Sequence, residues 1–300
     1  MSEPQTRCGF VALIGAPNAG KSTLMNTLVG AKLSIVTHKV QTTRSIVRGI
    51  AVEGEAQLIF VDTPGIFQPK RRLDRAMVTT AWGGASDADI VCLLIDAERG
   101  LDESNLAIIE KLAEAPRRKI LILNKIDQVP RERLLQIAAA ANQRLPFVET
   151  FMISALKGDG VKDLLRSLAG MVPVGPWLYP EDQISDAPLR ALAAEITREK
   201  LFLRLHDELP YESTVETDSW KVLADGSARV EQTIFVTREG QKKIVIGKGG
   251  ETIKAISVAA RKDIAAMAET PIHLFLFVKV RENWADDPAR YREMGLDMPR

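Results

Sequence analysis

Residues 10–22 read FVALIGAPNAGKS, and this stretch constrains the fold more than any other in the chain. An apolar run leads straight into Gly15-Ala16-Pro17-Asn18-Ala19-Gly20-Lys21-Ser22, which has the pattern GxxxxGK[ST], and a segment of helical character follows. A glycine-rich turn between strand and helix lets consecutive backbone N–H groups face one anion, with the positive end of the helix dipole aimed at the same place. Such a junction belongs at the carboxyl edge of a parallel sheet.

The remainder of residues 7–170 agrees with that placement. FVALIG (10–15), AQLIFVD (56–62), DIVCLLID (89–96), KILILNK (119–125) and FVETFMISA (147–155) read as strands, most of them nearly continuous apolar runs suited to a sheet covered on both faces. Helix candidates lie between them near 21–29, 72–84, 102–114, 130–143 and 161–169. A hairpin turning at Glu53-Gly54-Glu55 adds one antiparallel edge strand. The expected fold is α/β, a doubly wound, mostly parallel sheet, over residues 1–173. A proline-rich stretch without helical or strand period, 174–188, reads as a linker. Residues 189–300 form a smaller α+β arrangement: a helix over 189–205, two strands around the hairpin signal Asp225-Gly226, a helix over about 250–268 and a last strand, IHLFLFVKV (272–280), with an extra short helix after Thr237.

The chemistry of the first half follows from four short motifs. Lys21 would reach the β- and γ-phosphates of a nucleotide, and Ser22 would hold Mg²⁺. In VDTPGIF (61–67), Asp62 and Gly65 have the spacing of a loop that senses a γ-phosphate, with Thr63, Pro64 and Ile66 beside them. Ile66 and Phe67 stand where many such sites carry a water-orienting glutamine. Asn124-Lys125-Ile126-Asp127 selects the base: a carboxylate such as Asp127 accepts both N1–H and N2–H₂ of guanine, and adenine offers no such pair. Ser154-Ala155 follows the next strand. The implied ligands are GTP or GDP with Mg²⁺.

The second half carries IGKGGETI (246–253), a GxxG loop before a helix, the backbone clamp for single-stranded nucleic acid found in KH domains. Residues 1–175 hold 22 basic and 18 acidic side chains, and 176–300 hold 18 and 21, so bulk charge does not argue for RNA. Between Arg238 and Lys262, however, seven basic residues (Arg238, Lys242, Lys243, Lys248, Lys254, Arg261 and Lys262) face only Glu239 and Glu251. Local focusing of this kind suits a phosphate backbone. The candidate contacts are Lys242, Lys243, Ile246, Gly247, Lys248, Gly249, Gly250 and Lys254. A plain capping turn before a lysine-rich helix is the alternative. Lys70-Arg71-Arg72 with Arg75 reads as a solvated helix start, or as a further contact to RNA or a partner.

A P-loop GTPase followed by a KH domain of α-β-β-α-β order resembles the Era family of GTPases, and the likeness extends to REGQKKIVIGKGG, ELPY (208–211) and NWADD (283–287). The resemblance implies that Gln41-Thr42-Thr43-Arg44 is the first switch. Thr43, or Thr42 in its place, is then the Mg²⁺ and γ-phosphate ligand. Asp62 would contact Mg²⁺ through water, Gly65 would sense the γ-phosphate and Ala155 would offer its N–H to guanine O6. It also implies that Asn18 helps to hold a monovalent cation such as K⁺ in the absence of a glutamine, and that the KH domain, of type II, binds the 3′ region of 16S rRNA on the small ribosomal subunit. A monomer is expected, cytoplasmic, with peripheral association at the inner face of the membrane as a further expectation. A GTPase whose C-terminal domain docks to a protein or membrane is the rival reading. An enzyme of tRNA modification would need a further catalytic centre such as a reactive cysteine near the C-terminus, and no cysteine follows Cys92. Cys8 and Cys92 each lie inside an apolar run and read as core residues. His38, His206 and His273 have no ligand spacing, no apolar run is long enough to span a bilayer, and the N-terminus lacks the pattern of a signal peptide.

Overall fold

The computed structural model describes residues 5–37, 39, 42–282, 284, 287–288, 291 and 294–296. Gln41 of the expected first switch, and Asn283, Ala285 and Asp286 of the tail segment, lie outside the described residues. The chain divides into two compact units: Met1–Ser34 with Thr43–Asp186 and Met294–Arg300, and Ile35–Thr42 with Ala187–Glu293.

The first unit runs β1 (Arg7–Gly15), α1 (Lys21–Val29), β2 (Val47–Glu53), β3 (Ala56–Asp62), α2 (Arg72–Asp87), β4 (Ile90–Asp96), α3 (Glu103–Ala113), β5 (Arg118–Asn124), α4 (Arg131–Arg144), β6 (Glu149–Ile153) and α5 (Val161–Met171). The six strands lie in the order β2-β3-β1-β4-β5-β6, and only β2 runs antiparallel to its neighbour. β3 and β4 are buried along their whole length, which explains why they read as unbroken apolar runs. The chain leaves β1 for β3 on one side and reaches β4 on the other, so the carboxyl end of β1 is the switch point where a ligand crevice opens. At the start of α2 the Asp74 carboxylate accepts from the N–H groups of Lys70 and Arg71 at 3.0 and 2.9 Å, leaving Lys70, Arg71 and Arg75 exposed around the helix start.

The proline-rich stretch is no loose tether. Cys8 N–H donates to Pro173 O, Ile50 N–H to Ile184 O and Ser185 Oγ to Arg48 O, while Arg48 pairs with Asp186 at 2.9 Å. The fully buried Gln57 accepts from the N–H groups of Leu178 and Tyr179 and donates to Tyr179 O. Residues 173–186 therefore strap the β2 side of the first sheet. Only Ala187 and Pro188 stand between that strap and the next helix.

In the second unit, α6 (Leu189–Arg204), β7 (Thr214–Val222), β8 (Ala228–Val236), α7 (Glu239–Ile246), α8 (Glu251–Ala268) and β9 (Ile272–Val280) follow in order. β7 and β8 are antiparallel, β8 and β9 parallel, in the order β7-β8-β9. The hairpin closes at Asp225, whose carboxylate accepts from both N–H and Oγ of Ser227. Ile196, Leu201, Ile234, Val245, Ile256, Ala260 and Ile264 fill the core between helices and sheet.

Candidate functional site

The nucleotide site is assembled at the carboxyl ends of β1, β3 and β5. Gly20 caps α1 in the left-handed conformation (φ 98°), and a Cβ there would lie 2.1 Å from Asn124 Nδ2, so no other residue fits. No side chain caps α1, which leaves its first N–H groups for an anion. Pro17 crosses the loop against Gly65, and Ile66 N–H donates to Gly15 O at 3.0 Å, so the loop after Asp62 is tied to the P-loop through backbone.

Lys21 is 6% exposed and donates to Gly15 O and Ala16 O, both at 3.1 Å. Burial lowers its pKa from 10.5 to about 8, with the Asp62 charge opposing the shift. Ser22 Oγ donates to Asp62 Oδ2 at 2.7 Å and lies 2.9 Å from Thr43 Oγ1. Asp62 is fully buried, its second oxygen, Oδ1, has no partner, and burial raises its pKa. An unpartnered carboxylate oxygen beside two hydroxyls is the oxygen-rich donor set that Mg²⁺ takes, so the residues present fit that ion. Geometry separates the two threonines. Thr43 joins the cluster, whereas Thr42 Oγ1 is engaged with Thr37 Oγ1 and Lys39 O.

At the base end, Lys125 takes a left-handed conformation (φ 65°) and its ammonium pairs with Asp96. Asp127 follows in a single 3₁₀ turn; the Ser154 hydroxyl and the Lys157 ammonium, 3.4 Å away, hold its carboxyl below the usual range. It is thus an ionised acceptor, as guanine recognition needs. Asn124 bridges two loops of the site. Its Nδ2 donates to Ala19 O and its Oδ1 accepts from Ala155 N–H, both at 2.9 Å, so it staples the P-loop to the loop after β6. Ala155 N–H, the group expected at guanine O6, donates to Asn124 in this structure. Thr63 is buried with its hydroxyl on Leu13 O, and Ile66 packs in the core with Ala16, so only their backbones can face the nucleotide. Pro64 is buried as well, and Asn18 is exposed in a left-handed conformation (φ 64°). No motif singles out Lys157, although it follows Ser154-Ala155-Leu156 directly.

In the second unit, Gly247 ends α7, and a Cβ on it would sit 2.3 Å from Thr252 Oγ1. Gly250 caps α8 in a left-handed conformation (φ 82°) with no side-chain cap; Gly250 N–H and Glu251 N–H are used within the turn, on Gly247 O and Lys248 O, so it is the following amides of α8 that no side chain caps. Lys243, Lys254 and Arg261 are exposed, Lys242 and Ile246 half-buried. Two apolar side chains stand among them that charge counting misses: Ile244 at 59% and Val258 at 53% exposure. A groove of about 840 Å³ runs along α8 past Lys254, Val258, Arg261 and Lys262. Amides, cations and apolar surface together are what a nucleic-acid strand requires.

The profile of 50S ribosome-binding GTPases matches residues 10–125 and that of KH domains residues 208–285. GTPase Era of Bradyrhizobium sp. (strain BTAi1 / ATCC BAA-1182) is 68% identical over 296 residues, 99% of this chain and 96% of that protein. GTPase Era of Rhizobium meliloti (strain 1021) is 68% identical over 295 residues, covering 98% and 94%. A point variant of Aquifex aeolicus Era bound to GDP·AlF₄⁻ superposes with a TM-score of 0.91 at 36% identity, over 97% of this chain and 99% of that one. A structure of Era in complex with MgGDPNP and nucleotides 1506–1542 of 16S ribosomal RNA matches with the same score, identity and coverage. With its P-loop, its NKxD carboxylate and its GxxG loop in place along a match over nearly the whole chain, this chain belongs to the Era family of GTPases.

Proposed function

We propose that this protein hydrolyses GTP with Mg²⁺ and binds the 3′ region of 16S rRNA through its second unit during assembly of the small ribosomal subunit. The observation that carries the reading is the Ser22–Asp62–Thr43 cluster, with its buried, half-satisfied carboxylate close enough to Lys21 to feel its charge. The profile name that mentions the 50S particle covers residues 10–125 alone, whereas the match to Era spans nearly the whole chain and includes the RNA-bound relative.

In this mechanism the P-loop amides and Lys21 hold the phosphates, and Asp127 selects guanine. Ser22, Thr43 and Asp62 would hold Mg²⁺, directly or through water, and the ion supplies charge neutralisation at the β- and γ-oxygens. Ile66 lies in the core at 7% exposure and cannot orient a water, so intrinsic turnover is slow. Asn18, exposed in the P-loop, supports a monovalent cation near the phosphates, which makes turnover potassium-stimulated. A GTPase assay with the full chain, alongside filter binding of a 16S rRNA 3′ fragment, tests the reading. Hydrolysis and specific binding, lost on Thr43→Ala and Lys248→Glu respectively, are expected; GTP hydrolysis unaffected by Thr43→Ala would refute the site.

A further inference from the structure

Ser34, in the first unit, is 2% exposed, and its hydroxyl has no hydrogen-bond partner among the described residues. Its main chain, by contrast, is held from both sides. Asn26 Oδ1 accepts from the N–H groups of Leu33 and Ser34, both at 2.9 Å, and Asn26 Nδ2 donates to Ser34 O at 2.7 Å. Asn26 lies on α1 four residues after Ser22, so the two side chains share one face of the helix, one turn apart. The helix that begins with Lys21 and Ser22 thus also carries the clamp on Ser34. Packing alone does not ask for the Ser34 hydroxyl, because alanine would fill nearly the same volume without a buried polar group to satisfy. Asp62, fully buried, has an unpartnered oxygen of its own, Oδ1. Burial raises the Asp62 pKa, and the Lys21 charge and the hydroxyls of Ser22 and Ser34 oppose that rise, so Ser34 stands close enough to act on the carboxylate. Pairing the two orphaned groups would satisfy both at once.

We infer that Ser34 is a positioning residue for Mg²⁺ binding: its hydroxyl, held in place by Asn26, pairs with Asp62 as the ion binds and fixes the carboxylate in the orientation that receives it. The inference rests on the reading of Asp62 as part of the Mg²⁺ donor set. A carboxylate held by one hydrogen bond, here from Ser22 Oγ to Oδ2 at 2.7 Å, can still turn about that bond. A second donor fixes its plane, and with it the direction in which the carboxylate meets the ion. A hydrogen bond to a charged group is worth about tenfold or more in an equilibrium.

The test uses the full chain and measures affinity for GDPNP by calorimetry, once in EDTA and once in Mg²⁺. Wild type, Ser34→Ala, Asp62→Asn and the double variant Ser34→Ala/Asp62→Asn are compared. Ser34→Ala should reduce the Mg²⁺-dependent gain in affinity about tenfold and leave the affinity in EDTA unchanged. In the Asp62→Asn background the same substitution should have no further effect, because Ser34 acts through the carboxylate. Asn26→Ala, which keeps the hydroxyl and removes its clamp, should lower the gain in the wild type and add nothing to Ser34→Ala. A Ser34→Ala protein with the wild-type gain would overturn the inference. So would one weakened equally in EDTA and in Mg²⁺, since a merely structural loss moves both, or a Ser34→Ala effect undiminished beside Asp62→Asn. Asp62→Asn alone separates the inference from its premise: a Mg²⁺-dependent gain unchanged in that variant overturns the reading of the donor set itself.

Discussion

Lys21 gives the sharpest quantitative test of the nucleotide site. Its ammonium is buried against two carbonyls, and burial lowers its pKa from 10.5 to about 8 although the Asp62 charge acts the other way. Between those values the unfolded chain holds a proton that the folded chain has released, so the wild-type protein gains stability as pH rises through that window. The full difference amounts to about 3 kcal/mol at roughly 1.4 kcal/mol per tenfold. Lys21→Met removes the buried charge together with two hydrogen bonds worth about 1 kcal/mol each. At neutral pH the variant should therefore be more stable than the wild type by about 1 kcal/mol. Near pH 10.5 the penalty is nearly gone, the lost hydrogen bonds remain, and the variant should be the less stable by about 2 kcal/mol. Urea unfolding of both proteins from neutral pH up to 10.5 reads this reversal. Nucleotide affinity should move the opposite way: phosphate favours the charged lysine, so GTP binding to the wild type weakens as pH rises through about 8. Parallel stability curves for the two proteins, with no crossing, would refute the buried-charge argument.

Three further outcomes follow from the site as built. Asp127→Asn should shift preference from GTP to XTP, because xanthine replaces the guanine N2 donor with an acceptor that an amide can pair; competition binding that shows unchanged GTP affinity and no gain for XTP would mean that Asp127 does not read the base. Lys248→Glu should weaken single-stranded RNA binding and reduce its salt slope by about one per lost phosphate contact, with GTP affinity untouched, as measured by filter binding across a salt series. Turnover should be faster in potassium than in sodium at matched ionic strength, and the difference should vanish in Asn18→Ala; equal rates in the two salts would direct attention to an arginine or ribosomal partner acting in trans.

The P-loop, the NKxD tetrapeptide and the GxxG loop were legible in the sequence because each is a local device. Gly20 and Gly250 must be glycine for their own backbone angles, and the amides they expose belong to the helix that begins at the next residue. The parallel sheet was legible for a similar reason, since β3 and β4 are covered on both faces and show it as unbroken apolar runs. What needed the tertiary structure were pairings across long stretches of chain. Asn124 meets Ala19 and Ala155, 105 and 31 residues away, and so ties the P-loop to the loop after β6. Thr42 and Thr43 are alike in sequence, and only the closure of β3 beside α1 brings Ser22 and Asp62 to the second of them. Gln57 sits in an apolar run with nothing local to explain it until residues 178 and 179 return to satisfy its amide, turning an expected linker into a strap. Arg198 and Glu199 look like ordinary charges on an amphipathic helix. Their burial is explained only by partners such as Val36 N–H and Thr42 O, more than 150 residues earlier in the chain. Local backbone requirements leave their mark in neighbouring residues, whereas a buried polar group is explained only by the partner that folding brings to it.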